Sequence, residues 1–380
     1  MSHAEHAPAD QAAGARLPAL EGLRGMMTLL VVLSHFFGEL PHGLRALMFG
    51  WVAVDMFFVM SGYLIGKLIL EKKDHANFFL VFYARRCLRI LPPYVLVTVI
   101  VWALVEMLPA WTDTPVQFPL WSYLSFTQTF FMIDHASIGA HWLAPTWTLA
   151  VEEHFYLVIP AVLVFTPLRR LTGWLIGAGL VAIVLRAILA GTGPSGDYAG
   201  LVLLPARADI LVLGLLGAVA MVRGGVDWAR WMIWLRASPL IALIATFALQ
   251  MLAPTVFLVF SPTLVAAGCA GYLLAIVHGA PEAKVYHSPI LRFLGTNSYC
   301  IYLTHMPVLG LMHGGLLGAA PDLATPVQGL VSLAALPVAL LVGWGMTKLV
   351  EEPAMHYGRR WRWSDRLVSR QPTRLAPELI

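Results

Sequence analysis

Ten apolar runs, most of them close to 20 residues long, constrain this 380-residue chain more than any other feature. A helix of about 20 apolar residues, rising about 1.5 Å per residue, spans a bilayer core of about 30 Å. The runs lie at 22–38, 47–68, 90–108, 146–166, 172–190, 201–222, 238–253, 256–278, 297–317 and 327–350. Composition closes off other folds. Hydrophobic residues make up 59 % and charged residues 12 %, whereas a soluble domain carries about 25 % charge. So few charges cannot cover a water-facing surface, which excludes an ordinary cytosolic enzyme, a disordered chain and a nucleic-acid-binding module. A membrane barrel would show short alternating segments; these runs are continuous. The expected fold is an all-α integral membrane protein with about ten transmembrane helices.

An eleventh stretch, 118–133, mixes Trp121 and Tyr123 with Thr127, Gln128 and Thr129. Such aromatic, polar composition suits the membrane–water boundary, so it is expected as an interfacial or re-entrant piece. It sits in the longest connection, 109–145, which carries Pro109, Pro115 and Pro119. The chain divides into a tail over 1–18, a membrane domain over 19–353 and a basic tail over 354–380. No removable signal peptide is expected, because the first apolar run lacks a small-residue cleavage site.

Lys and Arg set the orientation. If residue 1 is cytoplasmic, Arg45 alone of the 25 basic residues falls in an outer loop. Arg24, Lys67, Arg186, Arg207 and Lys348 fall within the runs or at their edges, and the rest lie inside. The positive-inside rule then predicts ten spans with both termini cytoplasmic, in a multi-pass protein of the cell's inner membrane. The net charge of +4 reflects that orientation rather than a nucleic-acid partner. Cys87, Cys269 and Cys300 have no ligand or disulfide spacing, and no HExxH or other metal motif occurs. His3 and His6 read as solvated residues of the tail.

Charges inside the runs are costly, about 2.5–3.5 kcal/mol at a span centre on insertion scales. The candidates are Arg24, His35, Asp55, Glu152, Glu153, Arg186, Arg207 and Asp209. One reading makes them staples between helices, and Arg186, Arg207 and Asp209 fit it as well as any. The other makes them chemistry. His35 is eleven residues beyond Arg24, about 16 Å along a helix. The parity of the spans puts Glu152 and Glu153 at the depth of His35. An imidazole with an acid beside it is the pair needed for general-base catalysis. Either glutamate suits the part, but not both, since neighbours on a helix point about 100° apart. At the cytoplasmic side Arg86 and Arg89 are three residues apart and share a helix face. They suit a phosphate, or serve only as topology anchors.

Six landmarks then occur in order along the chain. They are Leu20-Glu21-Gly22-Leu23-Arg24-Gly25 leading to Ser34-His35-Phe36-Phe37, and the segment from Gly50 to Ile65 with Asp55 and Ser61. Arg86-x-x-Arg89-Ile90-x-Pro92 follows, then Thr146-Trp147-Thr148-Leu149-Ala150-Val151-Glu152-Glu153-His154-Phe155-Tyr156. The last are Asn297-Ser298-Tyr299 through His305-Met306-Pro307, and Glu351-Glu352-Pro353. In these the chain resembles the membrane acyltransferase 3 family, O-acyltransferases that modify bacterial glycans and some small molecules. The resemblance covers residues 20 to 353. Glu21, Tyr63 and His154 depart from the commoner family residues without removing a catalytic group.

The resemblance implies ten core helices, an acyl-CoA co-substrate on the cytoplasmic side and no other cofactor. The acceptor would be a hydroxyl, most simply on a cell-envelope carbohydrate, and the acyl group by default acetyl. It implies that His35 is catalytic, that Glu152 and Glu153 are functional, and that Arg24, Arg86 and Arg89 contact the donor phosphates. Asp55, Ser61, Arg207, Asp209 and His305 are left as acceptor-site or structural polar residues. Family members can carry an extracytoplasmic esterase-like domain; with about 27 residues after Pro353, none is expected here. No Gly-x-Ser-x-Gly elbow occurs, which favours direct transfer over an acyl-serine intermediate. The competing class is a secondary transporter or flippase with an intramembrane proton relay. Transporters often show repeated halves, and no internal repeat is found.

Overall fold

A computed structural model describes residues 18–365 apart from 49, 113 and 115. The remainder of both tails, with His3, His6, Arg16, Arg366, Arg370 and Arg374, and Pro115 of the long connection, lie outside the described residues. Among those described, ten helices are long and apolar enough to cross a membrane, and no strand occurs. They are α1 (Pro18–Leu33), α2 (Gly50–Lys72), α3 (Phe78–Met107), α4 (Thr146–Phe165), α5 (Leu168–Leu189), α6 (Leu204–Arg223), α7 (Trp228–Leu252), α8 (Pro254–Val277), α9 (Ser298–Leu317) and α10 (Pro326–Met346).

Four details differ from the sequence expectation. The third helix begins at Phe78 rather than near residue 90, because the basic stretch 85–89 is helical and continuous with the apolar run. Pro92 and Pro93 sit inside it. The sixth run is split, with a short helix at Pro194–Val202 and α6 restarting beyond Leu203. Two π-helical turns extend spans, Ser34–Gly38 after α1 and Thr347–Glu351 after α10. Such wide turns are found disproportionately at functional sites. The stretch 118–133 forms two short helices, Leu120–Leu124 and Gln128–Asp134. They are tied to α3 by Tyr94 Oη on the Tyr123 carbonyl (2.8 Å) and Trp102 Nε1 on the Phe118 carbonyl (2.9 Å).

α1 is central and tightly held. A Cβ on Gly22 would lie 1.8 Å from the Tyr286 carbonyl oxygen, and one on Gly25 1.9 Å from that of Leu291. From the other side, a Cβ on Gly295 would lie 1.8 Å from the carbonyl oxygen of Glu21. Backbone therefore meets backbone along this seam, the kind of close approach that small residues permit between membrane helices.

Two buried ion pairs brace the other helices. Arg207 of α6 bonds Asp55 of α2 at 2.5 Å. Arg186 of α5 holds Asp209 of α6 in a two-point contact at 2.9 and 3.0 Å. Thr263 of α8 accepts from Arg186 (2.7 Å) and donates to Asp209 (2.5 Å), and the Val259 carbonyl takes Arg186 Nε at 2.8 Å. The cluster thus locks α5, α6 and α8 together. Asp209→Ala leaves the Arg186 guanidinium buried and short of its carboxylate, a change that typically costs 3–5 kcal/mol. Thermal unfolding in detergent should show a large loss of stability. The double variant Arg186→Met/Asp209→Leu, an apolar pair needing no partner, should recover most of it.

Candidate active site

Three cavities lie in series between α1, α2, α3, α4 and α9. The first, about 470 Å³, is lined by Arg24, Arg86, Arg89, Tyr156, Glu351 and Arg359 among others. The third, about 560 Å³, is lined by His35, Glu39, Trp51, His141, Trp147 and Tyr302 among others. A smaller chamber of about 100 Å³ has wall residues in common with both. It shares Arg24, Ser61, Arg86, Arg89 and Tyr156 with the first cavity, and Val54, Thr148 and Tyr302 with the third. At that second junction Thr148 Oγ1 and Tyr302 Oη are 2.9 Å apart, and both reach the Pro145 carbonyl.

The basic end gathers side chains from several helices. Arg24 comes from α1, and Arg86 and Arg89 from one face of α3. Arg89 is paired, with Nε 3.8 Å from Glu351 Oε1, and Glu351 Oε2 accepts from the Cys300 thiol at 3.3 Å. Arg86 sits over the Tyr156 ring, 4.9 Å from its centroid. Among the described residues neither Arg24 nor Arg86 forms an ion pair within 4 Å. Two guanidinium groups facing a cavity with no such pair make a site for an anion. Glu152 is here too. Ser61 Oγ donates to its Oε1, and Tyr156 Oη donates to Ser61 Oγ at 3.2 Å. Glu153 lies on the adjoining face of α4, towards Arg86 and Cys87.

The expected contact between His35 and a glutamate of α4 is therefore not formed. Counting residues from the start of the apolar run put Glu152 at the depth of His35. The span in fact begins at His141. A turn over His141–Leu143 precedes α4, and Trp142, Leu143 and Thr146 are all buried. α4 thus starts inside the protein, and Glu152 sits mid-span beside Arg24 and Arg86.

His35 has a different partner. Its Nδ1 is 2.7 Å from His305 Nε2, and His305 Nδ1 is 2.7 Å from the Tyr302 carbonyl oxygen. The ring centroids are 5.0 Å apart and the planes differ by 8°, so the two imidazoles meet edge to edge in one plane. A carbonyl only accepts, so His305 Nδ1 carries the hydrogen. His305 is fully buried, where a charge without a carboxylate partner is costly, so the ring is neutral and its Nε2 is a lone pair. His35 Nδ1 must then donate, and His35 Nε2 presents a lone pair to the third cavity. The relay fixes one tautomer, the orienting job that the sequence reading gave to an acid.

Asp55, Arg207 and Asp209 face one another's partners and line none of the three cavities. Arg207 lies 5.9 Å from the Trp147 ring centroid, behind the cavity wall. Ser61 lines the first and middle cavities. Glu39, Tyr156 and Tyr302 were not singled out in the sequence. Glu39 had a readable signal, four residues after His35 and so on its face; the tyrosines had none apart from their neighbours in the motifs.

A family model described as an acyltransferase domain matches residues 17–346. The acyltransferase MdmB of Streptomyces mycarofaciens is 29 % identical over 376 residues, covering 91 % of this chain and 93 % of that protein. The peptidoglycan O-acetyltransferase OatA of Listeria monocytogenes serovar 1/2a is 28 % identical over 331 residues, 78 % of this chain and 50 % of that protein. The chain thus corresponds to about half of the latter relative. No solved structure matches it.

The tautomer relay is open to test. His305→Phe fills the space but cannot accept the His35 hydrogen, freeing His35 to turn or switch tautomer. Turnover in acyl transfer should fall by about 10²–10⁴-fold, the usual range for general-base catalysis, with donor affinity unchanged; initial rates across donor concentrations check both.

Proposed function

Given that the chain belongs to the acyltransferase family whose domain model spans residues 17–346, we propose that it transfers an acyl group, by default acetyl, from acyl-CoA to a hydroxyl of a cell-envelope carbohydrate. The observation that carries this reading is the serial arrangement of an anion site, a narrow chamber and an imidazole lone pair. Arg24, Arg86 and Arg89 hold the donor's phosphates in the first cavity. The pantetheine arm runs through the middle chamber, and the thioester carbonyl reaches the junction at Thr148 and Tyr302.

His35 lies about 16 Å from Arg24 along α1, a distance suited to such an arm. The acceptor occupies the third cavity, where Trp51 and Trp147 offer ring faces to the C–H faces of a sugar. His35 Nε2 takes the hydroxyl proton as the oxygen attacks the thioester carbon. The hydroxyls of Tyr302 and Thr148 donate to the Pro145 carbonyl in this structure, and one of them turning its hydrogen to the developing oxyanion would stabilise it. The C–S bond then breaks, and the proton passes from His35 to the departing sulfur. Glu152, hydrogen-bonded to Ser61 beside Arg24 and Arg86, sets the charge of the middle chamber rather than the tautomer of His35. The same reading places the arginine cavity and both termini at the cytoplasmic face of the inner membrane.

Purified full-length protein should release free thiol from acetyl-CoA when an acceptor is present, and cell-envelope glycans should lose acetyl groups, by mass mapping, when the protein is deleted. Movement of a solute across vesicles without thiol release would support the transporter reading instead. His35→Ala should abolish transfer while leaving acetyl-CoA binding intact. Arg86→Ala should raise the KM for acetyl-CoA tenfold or more, since a charge-assisted hydrogen bond contributes about 1.5–3 kcal/mol. Unchanged donor affinity would return Arg86 to a topology anchor.

Topology has its own check. Reporter fusions after residues 130 and 195 should read outside and one after residue 228 inside. An outside signal at both 228 and the C-terminus would overturn the orientation.

A further inference from the structure

His305 occupies one nitrogen of His35, and Glu39 stands at the other. Glu39 Oε2 is 3.5 Å from His35 Nε2. That is longer than an N–H···O hydrogen bond, as it should be when the nitrogen presents a lone pair. The carboxylate is nonetheless anchored. Ser34, fully buried, donates from Oγ to Glu39 Oε1 at 2.8 Å, and its carbonyl takes the Glu39 backbone N–H across the π turn, also at 2.8 Å. Gly50, the first residue of α2, abuts the same pair. A Cβ there would lie 2.8 Å from Ser34 Oγ and 3.3 Å from Glu39 Oε1. The N-terminal end of α2, which favours negative charge, thus faces the carboxylate.

The surroundings single out Glu39. Among the described residues lining the third cavity it is the only carboxylate, and there is no Lys or Arg. The other titratable groups facing His35 are His305 and Tyr302 from α9 and His141 from the turn before α4. Near the mouth His42 is paired with Asp322 at 2.9 Å, and Glu152 lies beyond the junction. Among the described residues lining this cavity, no other charge can answer one that forms on His35.

We propose that Glu39 is a positioning residue that stabilises the imidazolium formed on His35 during acyl transfer, so that Glu39, His35 and His305 act as one unit. The inference rests on His35 being the base of the proposed reaction. In the step concerned, the acceptor oxygen forms its bond to the acyl carbon and its proton moves to His35 Nε2. The new N–H points at Glu39 Oε2, and the 3.5 Å gap closes to a charge-assisted hydrogen bond. The C–S bond breaks and the proton leaves Nε2 for the sulfur. Glu39 stays a carboxylate throughout. An anion at this distance favours the charged imidazole, so it makes His35 a stronger base.

The test reads the protonation of His35 directly. Diethyl pyrocarbonate reacts with the unprotonated imidazole, and mass spectrometry of the His35 peptide from full-length protein in detergent follows its modification against pH. In Glu39→Gln the midpoint should move to lower pH by about one unit or more, the size of shift that one nearby opposite charge produces. Ser34→Ala, which loosens the carboxylate without removing it, should move it the same way by less, and Glu39→Asp should restore most of the wild-type value. With acetyl-CoA as donor, Glu39→Gln should lower kcat about tenfold or more with KM for acetyl-CoA unchanged. A midpoint unmoved in Glu39→Gln and Ser34→Ala, or a loss confined to KM, would overturn the proposal. If wild-type protein releases no thiol from acetyl-CoA but the midpoint shifts, the donor reading fails and the pairing of Glu39 with His35 stands.

Discussion

A charge in the membrane interior needs a partner, and the rest of this structure follows from how its charges are matched. Asp55 with Arg207, and Arg186 with Asp209, close on each other and tie α2, α5, α6 and α8 into a scaffold. Arg24 and Arg86 instead face a cavity with no ion pair among the described residues, and a protein keeps such residues in a membrane for a ligand or a pathway more readily than for stability. The two kinds of arginine separate scaffold from site. They look alike in sequence, and only the direction in which each guanidinium points tells them apart.

The ten helices were legible because a bilayer imposes one length and one polarity on every span. The ends of the spans were less so. The basic stretch 85–89 lies outside the apolar run that starts at residue 90 yet belongs to the same helix, α3, since helical hydrogen bonds do not depend on side-chain polarity. Residues of the candidate site were largely legible by type: Arg24, His35 and Glu152 are among the costly charges of the sequence, and Arg86 and Arg89 form its basic pair on one helix face. Their grouping was not. Depth counted along a run assumes that each run starts at the membrane face, and the buried turn at His141–Leu143 breaks that assumption. Glu152 moved to the arginines, and the neighbour of His35 proved to be His305 from a helix 270 residues further on. A contact of that sequence separation leaves no trace in periodicity.

The two ends of the site are built on different physics. Around Arg24 and Arg86 the geometry is loose: guanidinium groups line an open cavity and any anion of suitable shape can be met by several donors. Around His35 it is strict. The Tyr302 carbonyl, His305 and His35 form a chain in which each hydrogen has one place to go, and both imidazoles lie in one plane. Tyr302 serves twice, through its carbonyl in this chain and through its hydroxyl at the junction with the middle chamber. The width of that junction and the orientation of the imidazole are therefore set by a single turn of α9.

The first span, α1 with the π turn that follows it, carries Arg24 near one end and His35 near the other, and it is pinned by backbone contact at Gly22 and Gly25 and by Gly295 against Glu21. At those points no side chain can repack, so the helix is held against sliding by direct backbone contact. It acts as a ruler. The separation between anion site and imidazole is the rise of eleven helical residues, about 16 Å, and no rotamer change alters the backbone part of it. A donor is thereby measured by length as well as by charge: a short acyl phosphate held at Arg24 would leave its carbonyl far from His35, while a donor with a long arm between its phosphates and its acyl group fills both ends at once.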